Sequence, residues 1–396
     1  MRVLHLFSNH KVTGPAELAL ETVRALVDQG VPAALFSSDP RRTRYRERWL
    51  HQLALERGVP TEDVPGVRLP KHVHPLRVLF DVSRLAAHLR RDPPALVHCH
   101  LPGDHFVAWR ALRRARLELP LVRTVYDGEP PPPTRRNRGM LAATQRVICH
   151  GEAVGRALAA DAAFGLAERV RYVPPPIDTV RFDPARVDPG APPARRAALG
   201  VPADAVCLGI VARMQTHRRF ELLLEAFRAA RAAAPALHLV VVGRGTHQDA
   251  VAREPVRALG LEDAVHFAGY VAGEDYVATL ASFDAKVFMV PGSDGTCRAV
   301  REALAMGLPV IATPRGMLPE LVRHETDGLI VEEEPAALEA AFLRVARDAA
   351  ARAAWSAAAR AGAVERFAYP AFAARLRAIY AELGVTPAED SPPLGG

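Results

Sequence analysis

Two carboxylates, Asp294 and Glu302, stand with seven residues between them on either side of a glycine-bearing turn, in a stretch running from Val287 to Pro319. The apolar run 287–290 reads as a strand that Pro291 and Gly292 stop, and Gly295 lets the backbone come close to a ligand. A helix is predicted from about Thr296, which can cap it, through Arg298, Arg301 and Leu304 to Met306, with Gly307 as its stop and Pro309 opening the next strand. Its first amides, at Gly295, Thr296 and Cys297, together with the positive end of the helix dipole, suit a phosphate or sugar hydroxyl oxygens. Asp294 in the turn and Glu302 two turns up the helix reach different parts of one elongated ligand.

Cations form the second candidate set. Arg213 and Arg218 lie five positions apart in a loop between a strand predicted over 205–212 and a helix over 220–231. Histidines form the third. His98 and His100 close a strand predicted over 95–100, where they are expected on opposite faces. His100, nearer the C-terminal end, is then the one left for a ligand, because ligands of open α/β sheets lie beyond those ends. His150 stands at the end of a further strand that turns into a helix at Glu152.

The elements that must position these groups alternate between strand and helix. Strands are predicted over 2–7, 31–37, 95–100, 121–126, 147–150 and 170–173, then over 205–212, 237–242, 265–271, 287–290, from Pro309 onward, and over 329–332. The first strand runs into a loop with Gly14 and a helix over 16–29, as in a Rossmann-like half. Two alanine-rich helices, about 335–363 and 370–383, finish the fold. The expected division is 1–182 for a first domain, 183–204 for a Pro-rich linker and 205–365 for a second domain. A helix is then expected over 366–385, and 386–396 is expected to be a disordered tail.

Composition excludes several classes. No segment approaches the roughly 18 apolar residues of a membrane span, and the opening apolar run is too short for a signal peptide, so a cytoplasmic protein is expected. Cys99, Cys149, Cys207 and Cys297 contain no Cys-x-x-Cys pair and read as reduced, small core residues. Residues 1–182 carry 28 Lys+Arg against 18 Asp+Glu, and the remainder 23 against 26. Arginine clusters at 41–48, 110–116 and 135–138 suit an anionic acceptor or peripheral contact with an anionic membrane, or else a plain solvated surface. Nucleic acid is not expected, since aromatics are 6% and none of the usual motifs is present.

The stretch from Asp294 to Ala312 resembles the retaining glycosyltransferases of family 4, whose members have the GT-B fold, two Rossmann-like parallel-sheet domains facing a central cleft. That family carries Glu, seven residues and Glu at this turn; here Asp294 stands first, and Glu302-Ala303-Leu304-Ala305-Met306-Gly307-Leu308-Pro309 follows closely. The resemblance implies that Asp294 contacts the donor sugar, Glu302 the nucleotide ribose, and Arg213 and Arg218 the donor diphosphate. The strand-end turn at Gly243 and the backbone around Tyr270 and Val271 would complete the donor site. In the first domain it implies cleft positions at Gly14, where the family has a Gly-Gly pair, at His100, at Tyr126, which stands where the family has the His of Thr-x-His, at the adjoining Asp127, and at His150. The return of the helix over 366–385 to the first domain is likewise implied only by the resemblance.

The resemblance further implies a hexosyl transfer from a nucleotide-diphosphate sugar to a glycan or lipid-type acceptor of the cell envelope, as in polysaccharide or lipopolysaccharide synthesis. No Asp-x-Asp motif occurs, so no metal and no other cofactor is expected. A sugar-nucleotide binder without turnover, or an epimerase-like enzyme on the same fold, stays open beside the transferase.

Overall fold

The computed structural model describes residues 2–37, 49–69, 75–291 and 295–386. The chain divides into two compact units, the first made of 1–176, 293–296 and 369–396 and the second of 177–292 and 297–368.

The first unit holds a parallel sheet of β1 (Val3–Phe7), β2 (Ala33–Ser37), β3 (Leu96–Cys99), β4 (Leu121–Val125), β5 (Arg146–Cys149) and β6 (Val170–Tyr172), in the order β2-β1-β3-β4-β5-β6. Its central strands are buried along their whole length, which is why they read as near-continuous apolar runs. One face is covered by the helices Gly14–Asp28 and Tyr369–Ala381, the other by Pro75–Arg91 and Pro102–Ala115.

The returning helix Tyr369–Ala381 buries Phe372, Leu376 and Ile379. Burial of each such side chain is worth about 1.5–3 kcal/mol. Glu382 beyond it pairs with Arg146 at 2.8 Å and Arg171 at 2.7 Å, but a carboxylate this exposed contributes roughly 0–1 kcal/mol per pair. Apolar packing, not charge, therefore holds the chain's return.

The second unit holds β7 (Val206–Val211), β8 (Leu237–Val242), β9 (Val265–Gly269), β10 (Ala285–Phe288), β11 (Val310–Ala312) and β12 (Gly328–Ile330), all parallel, in the order β12-β11-β10-β7-β8-β9. One apolar cluster packs helices Phe220–Ala233 and Pro335–Arg347 on one face, and another packs Arg298–Ala305 and Ala349–Phe367 on the other. The four cysteines are buried and none is in a disulfide, as expected of small core residues.

Three expectations need correction. The stretch 183–204 is no bare linker: it carries the 3-10 turn Pro184–Arg186 and the helix Ala191–Leu199, with prolines in the first helical turn, where a missing N–H costs nothing. Arg196 ties that helix into the second unit through Asp284 at 2.8 Å and the Ser282 carbonyl. The unit boundary falls after 176 rather than 182, since Phe182 is buried in the second unit's core. The helix expected over 335–363 is two, broken at Asp348, whose carboxylate caps the second by accepting from the Ala351 amide.

Candidate functional site

In the second sheet the strand order reverses between β10 and β7, the switch point at which ligands of open α/β sheets bind beyond the carboxyl ends of the strands. The loop Ala212–Arg219 follows β7 and the helix Arg298–Ala305 follows β10, so both leave the sheet at this point. Backbone fit fixes the loop. A Cβ on Gly243 would lie 2.1 Å from the Ala212 carbonyl oxygen and one on Gly245 would lie 1.9 Å from that of Met214, so only glycine lets the turn after β8 press on the loop after β7. Gly243, at φ 135°, donates its amide to the Gly269 carbonyl.

Arg218 donates from Nη1 to the Val290 carbonyl at 2.6 Å, which ties the same loop to the end of β10. Arg213 is exposed and has no ion-pair or hydrogen-bond partner among the described residues. Arg219 is held instead by Glu221 and Glu333, and its left-handed backbone (φ 58°) starts the helix Phe220–Ala233. Two of the three arginines are thus committed to structure, and Arg213 presents an unshared guanidinium. Tyr270 is 67% exposed beneath the Arg244 guanidinium, while Val271 packs partly buried against the core.

Glu302 is only 4% exposed. Its two carboxylate oxygens accept from Tyr276 Oη at 2.6 Å and from Arg298 Nε at 2.8 Å. A carboxylate offers about four lone-pair sites, so two donors hold it in place and leave acceptor capacity. Buried Lys286, which donates Nζ to the Ala299 carbonyl, has its ammonium pushed down to about 8 by burial, with Glu302 opposing the shift. The helix cap is not Thr296: Cys297, at φ 49°, occupies that position and its side chain does not cap the helix. Gly295 is also left-handed, at φ 64°, and Thr296 is buried. Asp294 lies outside the described residues, as does the arginine cluster at 41–48.

In the first unit, His100, Tyr126 and His150 stand at or just beyond the C-terminal ends of β3, β4 and β5 and form one row, with ring centroids 5.9 Å and 5.4 Å apart. All three are buried. Tyr126 Oη lies 2.5 Å from His100 Nδ1, and His100 Nε2 lies 2.9 Å from His5 Nδ1. Each neutral imidazole has one N–H, so this chain runs in one direction or reverses as a unit. His150 Nδ1 donates to the Val173 carbonyl at 2.8 Å. Burial lowers His98 and His100 well below the usual range and His5 to about 3, and raises the Tyr126 phenol well above its own range. Burial therefore keeps His100 and Tyr126 neutral at pH 7.

The expectation that His98 and His100 face opposite ways fails: their rings stack 4.8 Å apart at 10°, because strand residues two apart share a face. His98 is spoken for at both nitrogens, by Tyr380 and Thr124, each at 2.7 Å. With His5 these two make a tight buried histidine trio. His5 and His100 bond to each other as well, so hydrogen bonds hold the trio. Gly14 is the first residue of helix Gly14–Asp28, with Pro15 beside it. Asp127 is exposed and lines a cavity with Arg123 and Arg136.

Sequence reasoning missed Tyr276, Arg298, Gly245 and Arg123. Only Arg298 had a signal in spacing, four positions before Glu302 on one helix face. Arg123 was visible as a lone cation inside the apolar run of β4.

Comparison with known proteins bears on the same regions. Residues 193–362 match the family described as "Glycosyl transferases group 1", and residues 12–181 the family described as "Glycosyltransferase Family 4". The D-inositol 3-phosphate glycosyltransferase of Actinosynnema mirum is 31% identical over 69% of this chain and 67% of its own length. That of Saccharomonospora viridis is 33% identical over 60% of this chain. A GDP-mannose-dependent alpha-(1-6)-phosphatidylinositol monomannoside mannosyltransferase of Mycobacterium tuberculosis is 35% identical over 43% of this chain. The chain spans 58% of the length of the Saccharomonospora relative and 44% of the Mycobacterium one. Among solved structures, Anabaena HepE in complex with UDP superposes with a TM-score of 0.78 at 20% identity, covering 96% of this chain and 100% of that one. A glycosyltransferase from Rickettsia africae gives 0.79 at 17% identity, covering 96% and 98%.

Proposed function

The chain belongs to the group 1 glycosyltransferases of family 4 and has their GT-B fold, and from that premise we propose that it is a retaining, metal-independent hexosyltransferase. It takes its sugar from a nucleoside diphosphate donor bound on the second unit and delivers it to a hydroxyl of a glycan or lipid-type acceptor of the cell envelope. One observation carries the reading. At the switch point of the second sheet, Arg213, the pinned Arg218 and the helix with a pre-oriented Glu302 leave adjacent strands together.

In that reading Arg213 and Arg218 take up the negative charge that builds on the diphosphate as the bond to the sugar breaks, and Glu302 accepts from the ribose hydroxyls. Asp294 would orient the sugar, as the resemblance implies. Front-face transfer passes the acceptor's proton to an oxygen of the leaving diphosphate, so a neutral His100 and a neutral Tyr126 are no obstacle. The donor is left to measurement, because one relative's name specifies GDP-mannose and one structural neighbour holds UDP-glucose. No helix among the described residues is long and apolar enough to cross a membrane, and the acceptor is reached through peripheral contact with an anionic surface.

The competing reading, a sugar-nucleotide binder without turnover, draws on Tyr126 standing where the family has histidine. Thermal shift with uridine, guanosine and adenosine diphosphate sugars, on the wild type and on Glu302→Ala, followed by assay of nucleoside diphosphate release with and without chelator, separates them. A donor that stabilises the wild type only and is slowly turned over in chelator supports the transferase; binding without release supports the binder. No shift with any nucleotide sugar would refute both.

A further inference from the structure

Lysine is scarce in this chain: of its 51 Lys and Arg residues only Lys11, Lys71 and Lys286 are lysines. Lys286 stands in β10, between β7 and β11, and is fully buried. Side chains alternate across a sheet, so Ala285 and Val287 join the apolar cluster on one face and Phe288 the cluster on the other. Lys286 shares the face of Phe288, beneath the helix Arg298–Ala305, and its Nζ donates to the Ala299 carbonyl at 2.6 Å.

That position is adverse for a cation. Ala299 lies in the first turn of the helix, where the macrodipole is already positive. An ammonium taken out of water is costly unless an anion meets it, and methionine would fill similar space without charge. The carboxylate at hand is Glu302, but Arg298 Nε holds one of its oxygens at 2.8 Å and Tyr276 Oη donates to the other. Lys286 and Arg298 thus share one carboxylate, and the helix dipole adds to their side. Arg301 is buried on the same helix. Arg360, from the second helix on this face, is given to the Thr179, Phe182 and Ala305 carbonyls and to Asp183. An anion at the head of the helix Arg298–Ala305 would restore the balance.

We propose that Lys286 is a buried counter-charge for the donor's diphosphate, holding its proton more tightly when a nucleoside diphosphate is bound, so that the donor binds with uptake of a proton from water. The inference rests on the transferase reading for where the diphosphate lies. The sign follows from linkage. Burial lowers Lys286 to about 8, so it is charged below that pH and neutral above it. Affinity for the diphosphate is full below about 8 and falls as the pH rises through it. Folding responds in the opposite sense: the folded value lies below the usual 10.5, so the unfolded chain binds the extra proton and stability rises from about pH 8 upward.

Lysine labelled with carbon-13 at Cε gives one signal per lysine, and Lys286→Met identifies the buried one. Where that variant does not fold, Lys11→Arg and Lys71→Arg identify it by elimination. Its titration midpoint is expected near 8 in the free protein and at least about one unit higher with saturating UDP or GDP. Calorimetric affinity for the same diphosphate should fall roughly tenfold between about pH 8 and 9.5 in the wild type and stay flat in Lys286→Met. A midpoint unmoved by a diphosphate that binds, or the same pH dependence in the variant, overturns the inference and leaves the donor site standing. If UDP, GDP and ADP all fail to bind the wild type, the donor site itself falls and the inference with it.

Discussion

His5, His98, His100 and His105 are four imidazoles sealed in the first unit and held neutral by burial. Their folded-state pKa values lie below the unfolded value near 6.5, so below that pH the unfolded chain binds protons that the folded chain does not. Stability is fully present above about 6.5 and is lost as the pH falls. Each such histidine costs about 1.4 kcal/mol per pH unit, and four together roughly 5 kcal/mol per unit, against a typical total of 5–15 kcal/mol. The first unit is therefore expected to unfold on acidification between about pH 6 and 4, seen as a falling urea midpoint. His105→Gln, which keeps a donor toward Thr144, should remove about a quarter of the slope. A midpoint flat from pH 7 to 5 would contradict the buried-neutral assignment. These residues also mark a limit of reading: types and strand positions were legible, but pairing across β1, β3 and β4 is set by register, which places His5 beside His98 and is not written in any one segment.

At the scale of the element, most strands and helices were legible because burial on both faces of a parallel sheet leaves apolar runs ended by Pro and Gly. The strand over 237–242 was placed to the residue. Gly245 was not picked out, since its necessity comes from the Met214 carbonyl, thirty-one positions back in the chain. Nor was the character of the helix Pro75–Arg91. Leu76, Leu79 and Phe80, spaced to share one face, are 67%, 62% and 66% exposed, and Arg68, Arg77 and Arg84 line a cavity with Leu76 and Phe80. Apolar side chains rimmed by arginine fit the boundary of an anionic lipid surface, and this helix end rather than the clusters at 110–116 or 135–138 is the expected contact. Arg110, Arg113 and Arg136 rest on Trp109 and Phe106 instead. Binding to phosphatidylglycerol vesicles is expected to exceed binding to neutral ones and to fall with salt, and Leu79→Ser with Phe80→Ser should reduce it roughly tenfold or more. Equal binding by the double variant would move the contact elsewhere.

For the molecule as a whole, the chain's path matters more than any single group. The first unit is discontinuous: its sheet is complete by residue 172, yet one face, covered in part by Gly14–Asp28, is completed only when the chain, having built the second unit, supplies Tyr369–Ala381. The sequence foretold a returning helix by resemblance; what it could not show is how much of the first unit's core that helix completes. Phe372, Leu376, Ile379 and Tyr380 are each 5% exposed or less, and Tyr380 also closes the hydrogen bond to His98. At about 1.5–3 kcal/mol apiece, the four together are worth roughly 6–12 kcal/mol, as much as a whole domain commonly has to spare. The second unit's apolar clusters include none of the four. A chain ending at Ala368 is therefore expected to lose amide-exchange protection throughout β1 to β6 while β7 to β12 stay protected and the nucleotide-sugar thermal shift persists. Retained protection in β1 and β3 would show that the first sheet is stable without that helix, and the weight assigned to it would be wrong. Joint loss in both sheets would show instead that the second unit depends on the first for its fold.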